Sequence, residues 1–74
     1  MIRWSVIAWP IHGYPGNEKA QAEEPMNFTT DDGAKAYVVE MGAKHYQVEV
    51  RPMGENKAEI MDDAHARLWA HKLS

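Results

Sequence analysis

Four histidines are the residues of this chain with the most obvious chemical potential: His12, His45, His65 and His71. Neutral imidazole is a common metal ligand in proteins. His65 and His71 are six positions apart, so on one helix they point to different faces and cannot bind one ion together. Asp62 and His65 could supply two ligands, but the sequence places no third. We therefore expect neither a metal site nor a cofactor.

Catalysis by a nucleophile would need a Ser, Cys, Thr or Lys activated by a neighbouring base. The chain has no cysteine, and its two serines are Ser5, in a predicted strand, and Ser74, the last residue. Glu40 and His45 are the pair best placed for acid–base chemistry. A domain of 74 residues, however, would have to enclose a substrate between subunits. We predict that the protein is not an enzyme.

Aromatic residues give the strongest functional signal, because three tryptophans in 74 residues exceed what so small a core buries completely. Tryptophan and tyrosine are typical anchors of protein interfaces, since they bring a large contact area at low entropic cost. The predicted partner-binding residues lie on the first and third strands, on the loop after the first strand and on the last helix: Trp9, Tyr14, His45, Arg51, Trp69 and Leu73. The sequence thus favours a module that binds another protein.

Composition and charge narrow the choice of partner. The net charge is −3, and residues 18–32 hold five acidic side chains against one lysine. Nucleic-acid binding usually needs a basic stripe, so we consider it unlikely. Stacking of single-stranded bases on Trp9, with His45 and Arg51 nearby, is the alternative. No apolar run is long enough to cross a bilayer, and cysteine is absent. We expect a cytoplasmic protein with no membrane contact.

The central residues 28–51 predict a helix followed by a strand. Ala34, Tyr37, Val38 and Met41 share one helical face. Thr30 can cap the helix start, and Gly42 provides a left-handed residue to end it. Alternatively, residues 34–41 form the first strand of a hairpin that turns at Gly42-Ala43. We prefer the helix, because its capping, dipole and stop signals agree with the periodicity.

The remaining elements are read from their apolar patterns. The strand Ile2–Trp9 is apolar on both faces, which favours the centre of a sheet. Shorter or half-buried strands are predicted at Met26–Phe28 and Lys44–Arg51. A second helix should follow a capping box of Asn56 with Glu59. Its predicted core stripe consists of Ile60, Met61, Ala64 and Leu68, which leaves Trp69 and Leu73 off that stripe.

These elements predict one α+β domain spanning residues 1–74, with the order β-β-α-β-α. The three-stranded sheet is mostly antiparallel, and both helices pack on one of its faces. The opposite face is left bare, so it is available to a partner. Homodimerisation that buries this face is a further alternative, because it would add core to a short chain.

The order of elements also resembles a known type of small protein. A tryptophan-containing strand, a Thr-capped helix and a strand ending in Val50-Arg51-Pro52 resemble, over roughly residues 2–52, the small phage inhibitors of bacterial RNA polymerase. Short, cysteine-free and mildly acidic chains of this kind are often accessory or inhibitory proteins of bacteria and their phages, so we expect a protein that masks a larger partner. The resemblance agrees with this expectation. It assigns no role to an individual residue.

Overall fold

A computed structural model describes residues 1–10 and 22–72 of the chain. The elements follow the predicted order β-β-α-β-α, and the fold is α+β. Their bounds are β1 (Trp4–Trp9), β2 (Met26–Phe28), α1 (Asp31–Ala43), β3 (Gln47–Pro52) and α2 (Asp63–His71).

The three strands form an antiparallel sheet in the order β2-β1-β3, so β1 is central as its two apolar faces predict. β1 pairs with β3 over its whole length, from Trp4 opposite Pro52 to Trp9 opposite Gln47. It pairs with β2 over three residues, with Trp4 opposite Phe28. α1 connects the two outer strands, which places them on opposite sides of β1.

α1 confirms the helix and excludes the hairpin for residues 34–41. The Thr30 hydroxyl accepts a hydrogen bond from the Gly33 N–H at 3.0 Å, which is the predicted cap. The predicted end at Gly42 is wrong, because the helix continues to Ala43. His45, not glycine, takes the left-handed conformation, with a φ of 64°. The His45 and Tyr46 N–H groups then bond the carbonyls of Gly42 and Met41, which is a Schellman ending.

This ending also shortens the predicted third strand. Residues 44–46 complete the chain reversal, so β3 begins at Gln47 instead of Lys44. His45 is therefore an exposed turn residue and has no position in the sheet.

α2 begins later than predicted. Its cap is Asp62, whose carboxylate accepts from the His65 N–H at 2.9 Å. The predicted capping box is wrong because residues 57–60 form no helix: the Asn56 side-chain oxygen accepts from the Ala58 N–H at 3.1 Å in a local turn, and its amide donates to the Arg3 carbonyl at 2.9 Å. Met61 forms an isolated antiparallel bridge with Val50 instead of a helical turn.

The predicted core stripe of α2 is consequently wrong in most of its members. Ile60 and Leu68 are 60% and 69% exposed, and Ala64 is exposed as well. Met61 is buried, but from its bridge position. The buried residues of α2 are Ala66 and Ala70.

The core lies between one face of the sheet and both helices. Its buried members are Trp4, Val6, Ala8, Ala34, Val38, Met41, Val48, Val50, Met61, Ala66 and Ala70. Phe28, Tyr37, Tyr46 and Trp69 pack around it and are half-buried. Because the inward positions of β1 and β3 all face the helices, the alternate positions of both strands lie on the other side.

Candidate functional site

The sheet face opposite the helices is the first candidate surface, and we call it the uncovered face. No helix or strand within residues 1–10 and 22–72 packs over it. Its side chains come from all three strands: Ser5, Ile7, Trp9, Asn27, Gln47, Glu49 and Arg51. Within the described residues both helices therefore lie on one face of the sheet; on the other face Ser5 is buried, and Ile7, Trp9, Gln47 and Glu49 are half-buried.

The uncovered face has a half-buried apolar part and a polar border. Ile7 lies opposite Glu49, and Trp9 lies opposite Gln47. Ile7 and Trp9 are both half-buried. Arg51 donates from its Nε to the Glu49 carboxylate along the same strand, and its side chain is 51% exposed. The face thus combines a half-buried apolar part with an ion pair at its border.

Of the six predicted binding residues, the structure brings only Trp9 and Arg51 to this face. They are separated along it, because Arg51 pairs with Ser5, four residues before Trp9. At roughly 3.3 Å per residue, the two positions are about 13 Å apart. His45 lies in the exposed turn that precedes β3. Tyr14 and Leu73 lie outside the described residues.

Trp69 lies on the helix side of the sheet, away from the uncovered face. Its ring centroid is 4.9 Å from that of Trp4, and the rings are tilted by 55°. The Lys35 ammonium lies 5.3 Å from the Trp69 ring centroid, within cation–π range. Trp69 thus covers the core beside Trp4, and it cannot share one flat contact surface with Arg51.

The outer edge of β3 is occupied by the segment that leads into α2. Val50 and Met61 exchange two backbone hydrogen bonds of 3.0 and 2.9 Å. The Asp63 carboxylate accepts from the Val48 N–H at 2.9 Å. Arg67 donates to the Tyr46 carbonyl at 3.1 Å, so three successive outward positions of the edge are satisfied. This edge is closed to a further strand.

Arg67 also forms an ion pair within α2. Its Nε lies 3.0 Å from Oδ2 of Asp63, four residues earlier in the chain. That N–H is buried and is not aligned for a hydrogen bond, so the contact is electrostatic. The pair holds both side chains over the β3 edge.

Asp31, at the start of α1, joins the helix to β1. Its Oδ1 accepts hydrogen bonds of 2.6 Å from both Trp4 Nε1 and Arg3 Nε. The bond from Trp4, followed by the bond from Arg3, lowers the pKa of Asp31 below its ordinary value of 3.8. The role of this carboxylate is structural, because its acceptor oxygen is already engaged.

An open depression of about 410 Å³ lies where the chain start meets the turn after β3. Its walls come from Met1, Ile2, Arg3, Thr29, Met53, Glu55 and Asn56. Gly54 closes the turn with a φ of +62°, and a Cβ there would come within 3.3 Å of the Ile2 carbonyl oxygen. The depression brings together no residues of catalytic type in a catalytic arrangement.

The described residues offer little for the other chemistries considered. Within residues 1–10 and 22–72, no group of three or more potential ligands is close enough to hold a metal ion. His12 lies outside those residues. Glu40 forms an exposed ion pair with Lys44 at 3.7 Å, so the predicted acid–base pair of Glu40 and His45 lies at the surface.

In the described part of the chain, neither helix has the length and apolar character needed to cross a bilayer.

Sequence reasoning missed the apolar surface that α2 turns outward. Leu68 lies opposite the buried Ala66 and Ala70, so the larger side chain is exposed and the smaller ones are inside. The useful signal is the Ala66–Ala70 pair, whose i, i+4 spacing permits close approach of a helix to a sheet. Ile60 is exposed beside the bridge at Met61.

Comparison with protein-family models, with curated proteins and with solved structures finds no match in any of the three.

Proposed function

We propose that this protein is a small non-enzymatic module that binds another protein through the uncovered face. The observation that supports the proposal is that, among residues 1–10 and 22–72, both helices pack on the sheet face of Val6 and Val48. Ile7 and Trp9 then form a half-buried apolar area on the opposite face, bordered by Glu49 and Arg51. An apolar centre with a polar border is the usual anatomy of a protein interface.

The charge of the protein favours a partner with a basic surface. The net charge is −3, and Glu23 and Glu24 lie exposed immediately before β2. A basic partner would be attracted to the acidic residues that precede β2, whereas a polyanion such as nucleic acid would be repelled by them. A role as an accessory or inhibitory protein of bacterial or phage type, acting inside the cell by masking a larger partner, is consistent with such a module.

Site-specific photo-crosslinking in lysate of the source organism tests this proposal. A photoreactive residue at Gln47, on the uncovered face, should capture one protein, whereas the same residue at Lys57, exposed after the turn that follows β3, should not. Exchange of the ion pair, Glu49→Arg with Arg51→Glu, keeps the net charge and the pair but reverses the polarity of the face. We expect the exchange to reduce capture about tenfold or more.

The outcome that contradicts the proposal is equal capture from both positions, or none from Gln47. Binding of single-stranded oligonucleotides that weakens steeply with salt would instead support the base-stacking alternative. Trp9→Ala is a second variant for either assay, with circular dichroism as the check that the domain remains folded.

A further inference from the structure

The outer edge of β2 is a second surface that the fold leaves without a partner among the described residues, and we call it the free edge. β1 pairs with the other side of β2, with Ser5 opposite Asn27. Within residues 1–10 and 22–72, no strand and no backbone group bonds to the outer side of β2. The opposite edge of the sheet, at β3, is closed by Met61 and Asp63, so the sheet can be extended at the free edge alone.

Strand alternation identifies the backbone groups at the free edge. The Ala8 carbonyl accepts from the Glu23 N–H at 2.7 Å, so the backbone groups of Ala8 point to the β2 side of β1. Val6, two residues earlier, points the same way, and its partner Met26 points back toward β1. The N–H and C=O of Asn27, the next residue of β2, therefore point outward. An outward donor and acceptor on an edge strand are matched by another extended strand, so the hydrogen-bonding pattern itself specifies the shape of the occupant.

The helix side of the free edge presents a pair of aromatic rings. The centroids of Phe28 and Tyr37 are 5.4 Å apart, the rings are tilted by 40°, and both residues are half-buried. α1 passes close to Phe28, since a Cβ at Gly33 would come within 3.2 Å of the Phe28 ring. Tyr37 is one turn after Gly33 and so lies on the flank of α1 that faces β2. Aromatic rings of this kind favour contact with a lysine or an arginine.

Carboxylates flank the free edge at both ends. Glu23 and Glu24 lie exposed just before β2, and Asp32 lies exposed in the first turn of α1. Among the described residues, none of these three forms an ion pair. Burial raises the pKa of Tyr37 above its ordinary value of 10.0, and the charge of Glu23 raises it further, so this carboxylate acts on the aromatic pair. The aromatic pair therefore has negative charge beside it and no cation of its own.

The cations nearest to the free edge are engaged elsewhere. Arg3 donates to Asp31 at 2.6 Å, and Lys44 lies 3.7 Å from Glu40. Lys35 reaches the other flank of α1, where its Nζ is 3.4 Å from the carbonyl of the residue that follows α2. These contacts leave the surroundings of the free edge with an excess of negative charge.

We propose that the free edge binds an extended basic segment of a partner protein as a fourth strand of the sheet. The Asn27 N–H and C=O pair with the backbone of the segment, and a lysine or arginine of the segment lies against Phe28 and Tyr37 beside Glu23. A second copy of this chain fits poorly, because antiparallel pairing of two β2 strands brings Glu23 and Glu24 of each copy to the acidic first turn of α1 in the other. This inference depends on the free edge and does not require the uncovered face.

The short length of β2 limits the affinity. The strand has three residues, and Pro25 before it has no N–H to donate. Most of the attraction then comes from exposed charges, which salt screens. We expect a dissociation constant on the order of 0.1 mM at low salt.

Fluorescence anisotropy with a labelled peptide of alternating lysine and valine residues provides the first test. The peptide should bind the full chain with a dissociation constant on the order of 0.1 mM. The same peptide with N-methylated backbone amides should bind about tenfold more weakly, because it cannot donate to the free edge. A peptide of alternating glutamate and valine should not bind. No binding of the lysine peptide up to about 1 mM, or equal binding of its N-methylated form, would overturn the proposal.

Charge reversal tests where the peptide binds. Glu23→Lys should weaken binding by about threefold or more, because it removes the carboxylate beside the aromatic pair. Glu59→Lys makes the same change of charge at an exposed position beyond β3, on the far side of the sheet, and should change binding by less than about twofold. Equal effects of the two variants would show that the peptide responds to net charge alone, which contradicts the proposal.

Amide hydrogen exchange reports directly on the free edge. At saturating peptide the Asn27 N–H should exchange about tenfold more slowly. The Val50 N–H, which already bonds the Met61 carbonyl at 3.0 Å, is the internal control and should not change. An Asn27 amide that stays unprotected, or one protected because the chain dimerises without peptide, would overturn the proposal. Exchange of Glu49 with Arg51 should leave peptide binding intact, so failure at the free edge is distinguishable from failure at the uncovered face.

Discussion

The two helices lie on the same face of the sheet, but different interactions hold them there. α1 inserts Ala34, Val38 and Met41 into the core, and their spacing forms an ordinary amphipathic stripe. α2 inserts only Ala66 and Ala70, whose side chains offer little apolar area. Its position is fixed instead by polar links from Asp63 and Arg67 to the β3 edge.

The difference shows that satisfaction of a strand edge can override an apolar stripe in orienting a short helix. An unpaired N–H at a buried edge costs about 1–3 kcal/mol. Burying one leucine gains about 1.5–3 kcal/mol, so the two effects are of comparable size. In α2 the edge determines the rotation of the helix, and Leu68 faces solvent.

The largest expected effect comes from exchanging the inner and outer residues of α2. The double variant Ala66→Leu with Leu68→Ala keeps the composition but forces a leucine into a fully buried alanine site. Overpacking should lower the free energy of unfolding by about 3 kcal/mol, seen as an earlier midpoint in urea. Leu68→Ala alone is the control and should change stability by less than about 0.5 kcal/mol. A more stable double variant would show that α2 is rotated differently.

Removing the polar link of α2 should have the next largest effect. Asp63→Ala leaves the Val48 N–H without its acceptor and Arg67 without its ion pair. We expect a loss of about 2 kcal/mol in the free energy of unfolding. Asp63→Asn keeps an oxygen acceptor for the N–H, so its loss should be clearly smaller. Equal losses for the two variants would mean that the charge, and not the edge hydrogen bond, holds the helix.

A substitution of Asp31, at the start of α1, tests whether polar interactions that depend on pH also hold this helix to the sheet. Its pKa is lowered when folded, so the unfolded chain binds the proton more tightly. The stabilisation that Asp31 contributes is fully present at pH values above its ordinary pKa of 3.8. It is lost as the pH falls through the lower pKa of the folded state. Asp31→Asn should therefore destabilise the protein at pH 7 and have a smaller effect near pH 2, below the ordinary pKa of 3.8. Chemical denaturation at both values measures the difference.

The smallest expected effect is an increase in the free energy of unfolding when His45, in the turn that ends α1, is replaced by glycine. His45 adopts a φ of 64°, a conformation that glycine takes without strain. His45→Gly should raise the free energy of unfolding by about 0.5–1 kcal/mol. His45→Ala retains the Cβ and should give no such gain. If both variants behave alike, the left-handed backbone is not the source of the strain.

The sequence predicts α1 and the sheet well because their signals are local and agree with one another. The cap at Thr30, the stripe of α1 and the two apolar faces of β1 all indicate the structure observed. It fails at α2 because the competing interactions are not local. Asp63 meets Val48 fifteen residues away, and Asn56 meets Arg3 fifty-three residues away. A periodicity analysis does not detect such partners.

The predicted binding residues illustrate the same limit. Trp9 and Arg51 share a face because strand alternation is a local rule. Trp69 falls off the predicted stripe, yet it packs on Trp4, sixty-five residues earlier, across the interior. Whether a tryptophan covers the core or faces a partner depends on such distant contacts.

The closed edge of β3 also restricts how copies of this protein could join strand to strand. Met61, Asp63 and Arg67 block that rim, so a neighbouring chain has no backbone groups to pair with there. A filament of sheets needs two receptive rims on every copy, one to accept and one to be accepted. Because the β3 edge is closed, edge-to-edge pairing of sheets through it cannot continue from copy to copy. The closed edge thereby protects the fold against filament formation.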